Sequence, residues 1–394
     1  MILTERHIIK KNDCRFEDLQ NICKLSKNLY NVALYKIRQQ FFEDGKFLTA
    51  FSLDGILRKE QNIDYNALPQ KVSQQTLKMV EQNFKSFFGL LKLKAKGKYD
   101  EKVKLPKYLD KDGCFVTTYT NQAISKVALK GGFIQFSKTN IRIKTSVENV
   151  QQVRIVPKGN HLVVEVLYVV KEKELKDDNS RYCSIDLGVG NLATIGSNVL
   201  KPIIINGKPL KSVNQYYNKQ LAKLKSELKN EKKTSKRIKS LTAKRNNKVN
   251  DYLHKASRLI VNYLVSNNIS TLVIGKNKEW KQNANIGKRN NQNFVQIPHT
   301  RFIEMLTYKC KLEGITVIIK EESYTSKCSF MDNEPIKKQK VYIGKRIKRG
   351  LFETKEKRLI NSDLNGSLNI LRKVVGEFQY PIEVCSTPLV LTIK

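Results

Sequence analysis

The chain has 394 residues and 40% hydrophobic content, enough for two or three domains with their own cores. Its 73 Lys and Arg stand against 36 Asp and Glu, a formal charge of +37 that runs the whole length and points to a polyanion, most commonly nucleic acid. A membrane role is disfavoured: the longest apolar run, Leu162 to Val170, is interrupted by Glu165 and is far short of the ~20 residues of a bilayer span.

Residues 1–10 alternate like a short strand. From Arg15 to Phe42, apolar residues recur at helical spacing (Leu19, Ile22, Leu25, Leu29, Val32, Ile37). A second helix is expected from about Ser73 to Leu93, with Leu77, Val80, Phe84, Phe87 and Leu91 on one face. Phe84, Phe87 and Phe88 could stack on bases, but their spacing favours core packing. The stretch from Lys94 to Asp112 is lysine-rich and loses its period. Residues 114–175 read as strands with turns at Gly131-Gly132 and Pro157 to Asn160, and Val153 to Val170 reads as a hairpin. Strands on both sides of a helical pair predict a small barrel interrupted by a helical domain.

A new domain is expected near Tyr182. Its pattern is three strands (182–188, 192–197, 201–206), then a helical hairpin from Leu210 to Ser266 with Lys232 to Leu241 at its bend. Strand Thr271–Ile274, helix Thr300–Leu312 and strand Ile315–Lys320 follow. This order predicts an RNase H-like fold, a mixed sheet between helices. Seven cysteines lie far apart and form no C-x-x-C pair, so they read as reduced packing thiols of a cytoplasmic protein.

Two distant segments carry the chemistry. Tyr182-Cys-Ser-Ile-Asp186-Leu-Gly-Val-Gly190 reads as a buried strand ending in an acid and a Gly-rich turn. Ile360-Asn-Ser-Asp363-Leu-Asn-Gly366 reads as a loop entering a helix. Asp186 alone could be a turn aspartate, and Asp363 alone an N-cap. Together they suit a hard divalent cation such as Mg2+, which takes oxygen ligands and leaves room for phosphate. Two such ions can clamp the attacking and leaving oxygens of a phosphodiester.

A third acid is needed. The strand 271–275 ends in Gly275, with no acid, and Glu279 follows beside Trp280. The next strand ends in Glu321-Glu322-Ser-Tyr-Thr-Ser326. Sheet neighbours are ~5 Å apart, so a Glu one strand over could reach. Counting back by twos from Glu321 gives Ile319, Val317 and Ile315; from Glu322 it gives Lys320, Ile318 and Thr316. Periodicity does not choose Glu322, and Glu279, Glu321 and Glu322 all stay open.

These residues resemble the TnpB (OrfB) proteins of insertion sequences, RNA-guided nucleases related to type V CRISPR effectors. The likeness is nearly full length. Its blocks include Ser26-Lys-Asn-Leu-Tyr-Asn31, Leu105-Pro-Lys-Tyr108, Ile185 to Asn191, His254-Lys-Ala-Ser257, Ile274 to Lys281, Glu322 to Lys327, Tyr342 to Gly350 and Ile360 to Asn369. It implies a multidomain α/β chain: a wedge β-barrel (1–14 and 104–178) interrupted by a helical recognition domain (15–103), then a RuvC-like nuclease of RNase H-like fold (179–325, helical hairpin 208–266; 360–394). Between its parts lies a ribbon-like insertion (326–359). Members commonly carry the middle glutamate where this chain has Gly275. This chain resembles the subgroup in which it has moved before Ser-Tyr-Thr-Ser, which selects Glu322. Members also often hold four zinc-binding cysteines in the ribbon, whereas here Cys328 stands with Met331 and no second pair, so no zinc is expected.

The resemblance thus implies an insertion-sequence-encoded, Mg2+-dependent DNA endonuclease (two ions, or Mn2+ in their place) in the prokaryotic cytoplasm, associated with the nucleoid. Its ligands would be Asp186, Glu322 and Asp363. Its partners would be a guide RNA from the transposon end and double-stranded target DNA. Lys232, Lys233, Lys236, Arg237, Lys239, Lys345, Arg346, Lys348 and Arg349 are the candidate nucleic-acid contacts. Competing readings are a nuclease-inactive RNA-guided repressor, kept alive by Gly275, and a DNA transposase.

Overall fold

A computed structural model describes residues 1–229, 232–277, 287–378, 380 and 388–393. The chain parts into two units, Met1–Val170 and Lys171–Lys394. No described helix is long and apolar enough to cross a membrane.

The first unit begins with β1 (Ile2–Lys10), α1 (Phe16–Asp44), α2 (Ala50–Lys59), α3 (Ile63–Asn66) and α4 (Gln70–Ala95). It continues with β2 (Thr117–Thr120), α5 (Lys126–Lys130), β3 (Phe133–Gln135), β4 (Arg142–Lys144), β5 (Val150–Pro157) and β6 (His161–Val169). The long helices and the β5–β6 hairpin follow the expected periods; α2, α3 and α5 are too short or too weakly periodic to have been foreseen. The strands form an antiparallel sheet in the order β1-β6-β5-β2, with β3 and β4 paired separately. The expected barrel is therefore corrected: among the described residues β1 and β2 remain edges. Closure is unnecessary because α1 and α4 share one core with the sheet, where Leu19, Cys23, Leu77 and Val80 join Val153, Ile155, Val164 and Val166. Phe84 belongs to this core and Phe87 and Phe88 pack against it, whereas Leu91 is exposed.

Polar stitches explain two sequence blocks. In Ser26–Asn31, Ser26 Oγ meets Thr76 Oγ1 at 3.1 Å, Lys27 Nζ donates to Lys111 O at 2.8 Å, and Asn31 exchanges hydrogen bonds of 3.0 and 2.9 Å with the Leu109 backbone. In Leu105–Tyr108, Arg38 donates to Pro106 O and lies over the Tyr108 ring. The aperiodic segment is thus fastened to α1 by side chains. The charge that interrupts the apolar run, Glu165, is buried and pairs with Arg6 (3.1 Å) and Arg154 (2.7 Å) on the two flanking strands.

The second unit starts with β7 (Tyr182–Leu187), β8 (Asn191–Ser197), β9 (Ile203–Asn206), α6 (Lys208–Ser226), α7 (Lys236–Ser266) and β10 (Thr271–Gly275). Then come α8 (Lys288–Gln296), α9 (His299–Leu312), β11 (Thr316–Lys320), β12 (Lys345–Lys348), β13 (Leu351–Glu353), β14 (Leu359–Asn361), α10 (Ser362–Val375) and β15 (Leu389–Leu391). The main sheet has the order β11-β10-β7-β8-β9-β15. β7, β8 and β9 run antiparallel, β10 runs parallel to both β7 and β11, and β15 is an unforeseen strand parallel to β9. The pleat sorts β7 into two faces. Cys183, Ile185 and Leu187 enter a core with Leu253, Ala256 and Ile260 of α7 and Phe302 and Ile303 of α9. Ser184 faces the opposite layer, where its Oγ donates to Ser367 O of α10 at 2.7 Å.

Between β11 and α10 the chain forms the small antiparallel sheet β12-β13-β14. Glu334 is its fastener: fully buried, it accepts from Ser329 N at 2.7 Å and Ile343 N at 2.9 Å. Cys328 is also buried, with Sγ 3.4 Å from Pro335 O. α10 holds this insertion through three residues one turn apart. Asn365 donates to Cys328 O at 2.9 Å, Asn369 to Thr325 O at 2.8 Å, and Arg372 to Glu334 O at 2.5 Å.

Candidate metal centre

Asp186 is the penultimate residue of β7, on the face covered by α10. The helix comes close there because residue 366 is glycine: a Cβ on it would lie 2.9 Å from Asp186 Oδ2. Asp363 stands in the first turn of α10, but it does not cap the helix. That task belongs to Asn361, whose side chain accepts from Asp363 N at 3.0 Å and Leu364 N at 3.1 Å. The Asp363 carboxylate instead accepts from Asn191 Nδ2 at 2.8 Å and from Arg346 Nη2 at 3.2 Å.

Glu322 arrives from the end of β11. Ile318 packs with Val273, Ile370 and Leu371 on the α10 face, while Val317 faces the α7/α9 core. Val317 and Ile318 are thus packed on from opposite sides, so the apolar count that did not choose Glu322 carried no information. The pleat places residue 322 with Ile318 on the face of Asp186. Lys373 donates to Glu321 O at 3.0 Å and Ser323 O at 2.8 Å, and pairs with the Glu321 carboxylate at 3.3 Å on the exposed side. Thr325 Oγ1 donates to Glu322 O at 2.8 Å, which gives the Ser-Tyr-Thr-Ser block a local role. Asn277, missed at the level of sequence, holds Glu322 from both ends. Its Nδ2 donates to Oε1 at 3.3 Å and its Oδ1 accepts from Glu322 N at 3.1 Å.

The electrostatics bind the three acids into one site. Burial, then the charges of Asp363 and Glu322, push the Asp186 carboxyl well above its ordinary range, with Arg346 opposing. Burial, then the charge of Glu321, pushes Glu322 up to about 7, with Lys373 opposing. Glu322 Oε2 is buried with no hydrogen-bond partner, a cost that a cation would remove. Yet no three His, Cys, Asp or Glu side chains among the described residues form a ready metal cage. The expected convergence within a few Å is therefore corrected: the three acids do not close into one cage, and Arg346 occupies Asp363. The donor set is all oxygen and half-buried, which fits a hard divalent cation such as Mg2+. Glu279 lies outside the described residues.

The candidate nucleic-acid contacts separate into two places. Lys232 and Lys233 are exposed before α7, and Lys236, Arg237 and Lys239 are exposed on its first turn. Cations there oppose the helix dipole, so their charge is available to an external anion. Lys345, Arg346 and Lys348 lie on β12 and Arg349 in the turn after it. Lys345 pairs with Glu353 at 3.6 Å, and Arg346 with Asp363.

Comparison with known proteins agrees with this architecture. Residues 163–281 match a family model described as Probable transposase, of the OrfB_IS605 kind, and residues 299–370 match the TNB domain of Cas12f1-like proteins. A TnpB-like protein, ORF457 of Acidianus two-tailed virus, is 24% identical over 416 residues, covering 91% of this chain and 83% of that protein. The fold is similar to that in a cryo-EM structure of a Cas12f1–sgRNA–target DNA complex, with a TM-score of 0.54 at 15% identity, covering 90% of this chain and 82% of the other.

Proposed function

Taking the chain as a member of the TnpB family, we propose that it is an RNA-guided, Mg2+-dependent DNA endonuclease encoded by an insertion sequence. The observation that carries this reading is the electrostatic coupling of Asp186 to Asp363 and Glu322, with Glu322 Oε2 left unpartnered. The sheet order supports an RNase H-like reading: three antiparallel strands, then two added parallel to the first on its other side. The acids sit at the ends of β7 and β11 and the start of α10.

Asp186, Glu322 and Asp363 would hold the divalent ions. Bound there, Mg2+ would lower the pKa of a water and neutralise charge on the scissile phosphate. Asn277 fixes the Glu322 carboxylate, and Asn191 fixes that of Asp363. Arg346 would release Asp363 when the ions bind and is then free to face phosphate. Base pairing with a guide RNA would supply sequence recognition, while the protein contacts backbone and shape. That division suits a charge of +37 spread over the whole chain.

The repressor reading rests on Gly275; the approach of Glu322 Oε2 to 2.8 Å from where a Gly275 Cβ would stand favours the nuclease reading over it. The test is to purify the chain with its bound RNA, sequence that RNA and present matching DNA with Mg2+. Wild type should cut and Asp186→Ala should bind without cutting. Normal cutting by Asp186→Ala would overturn the assignment.

A further inference from the structure

A groove of 940 Å³ opens from Asp363 on the side of the β7–β8 turn. Its lining includes that turn (Gly188 to Asn191), Lys208 and Lys211 of α6, Arg346, and Arg349 with Gly350 of the β12–β13 turn. Four cations thus line it against the single acid Asp363. Arg346 is engaged with Asp363; no acid among the described residues pairs with Lys208, Lys211 or Arg349.

Glycines let these walls meet. A Cβ on Gly190 would lie 3.3 Å from Arg349 Nη2, so the guanidinium rests on the turn itself. A Cβ on Gly207 would stand 3.0 Å from Leu192 N, so α6 starts hard against the same turn. Gly207 caps α6 without a side-chain hydrogen bond, and the positive end of the helix dipole adds to the two lysines. The turn is braced from beneath by His299, whose Nε2 donates to Gly188 O at 2.9 Å. Unpaired cations on a glycine-tight floor beside the Asp363 carboxylate match one ligand chemistry: a run of phosphodiesters whose reactive member reaches that acid.

We propose that this groove is a phosphate-binding subsite for the DNA strand being cut, with Lys208, Lys211 and Arg349 contacting linkages on one side of the scissile phosphate. The inference rests on the nuclease reading of the carboxylates and extends it to the path of the strand. The path is directional: linkages on the groove side of the cut are held, and those on the other side are not.

The test uses the RNA-loaded full chain, target DNA and Lys208→Ala/Lys211→Ala. Both lysines lie at the surface end of α6, where Ala preserves the helix. Single neutral methylphosphonate linkages are placed at each position flanking the cut. In wild type, neutral linkages on one side should slow single-turnover cleavage roughly tenfold, the worth of a charge-assisted contact. In the double variant the natural substrate should slow similarly, and the neutral linkage should add no further loss. Salt dependence of target binding is the second measurement: the slope of log affinity against log salt should fall by about 0.7 for each single-strand contact removed. An unchanged slope, or penalties that simply add, overturns the subsite. A changed slope in a protein that cuts nothing leaves the subsite standing and overturns the nuclease reading.

Discussion

The Oε2 atom of Glu322 lies 2.8 Å from the point where Gly275 would carry a Cβ. A carboxylate from one strand end fills the side-chain space of the residue that ends the neighbouring strand. Ile370 of α10 lies closer still to that point, so only glycine leaves room for both.

Glutamine at each candidate acid separates them. Glu322→Gln should lower RNA-guided cleavage by at least the roughly hundredfold that even outer partners of a metal site can be worth. Glu321→Gln should leave it intact, because that side chain points to solvent and Lys373. Glu279→Gln should also cut normally. Normal cleavage by Glu322→Gln with a dead Glu279→Gln would reverse the assignment.

Gly275→Ala should be harmful although it adds one methyl. It crowds Ile370 and displaces Glu322, a change of the overpacking kind that costs about 1–3 kcal/mol. Thermal unfolding should report the stability loss, and cleavage should fall with it. An active, equally stable Gly275→Ala protein would show that Glu322 does not need this space.

The raised carboxyls set a pH signature in the metal-free protein. Glu322 has a folded pKa of about 7 against an ordinary 4.5. The fold therefore binds that proton more tightly than the unfolded chain does. Its contribution to stability is complete below pH 4.5 and is lost as pH rises through about 7. Glu322→Gln should be more stable than wild type at pH 8, on the order of 2 kcal/mol, and the difference should vanish toward pH 5. Mg2+ should narrow the gap by stabilising only wild type. Equal melting curves at pH 8 without metal would refute the burial of this charge.

Arg346 neutralises the site while no cation does. Arg346→Ala should lower the metal-free melting temperature, and Mg2+ should largely restore it. Arg346→Lys should restore only part, since a point charge replaces the fork that reaches Asp363. A melting deficit that persists with saturating Mg2+ would mark Arg346 as purely structural.

The insertion should carry no stoichiometric zinc, because among the described residues Cys328 stands in no group of His, Cys, Asp or Glu that could hold a metal. Glu334→Ala should then be severe, about 3 kcal/mol, since it strands the buried Ser329 amide and the part-buried Ile343 amide. Elemental analysis showing one zinc per chain, or a Glu334→Ala protein as stable as wild type, would refute this.

Legibility from sequence followed the local period. β7 and β10 alternate or run apolar between clear turns, and α1 and α4 keep a helical stripe, so these elements could be read. Asp186 and Asp363 stood out because each sits beside glycine at an element boundary. The third acid was hidden for a physical reason: Ile318 and Val317 are both covered, from opposite sides, so β11 has no polar face to read. Asn277 and Glu334 act on residues 45 and five to nine positions away, and their meaning exists only once those backbones are neighbours. Lys208 and Lys211 are two cations among 73, and only the groove distinguishes them.

The Glu334 fastener bears on how the protein matures. A ribbon closed by a metal is finished only when an ion has been delivered, and its assembly competes with every other thiol site in the cell. A ribbon closed by peptide amides on a carboxylate is finished when the chain has folded, because both halves of the clasp are translated together. The clasp on Glu334 is therefore written entirely into residues 329–343 of the chain itself.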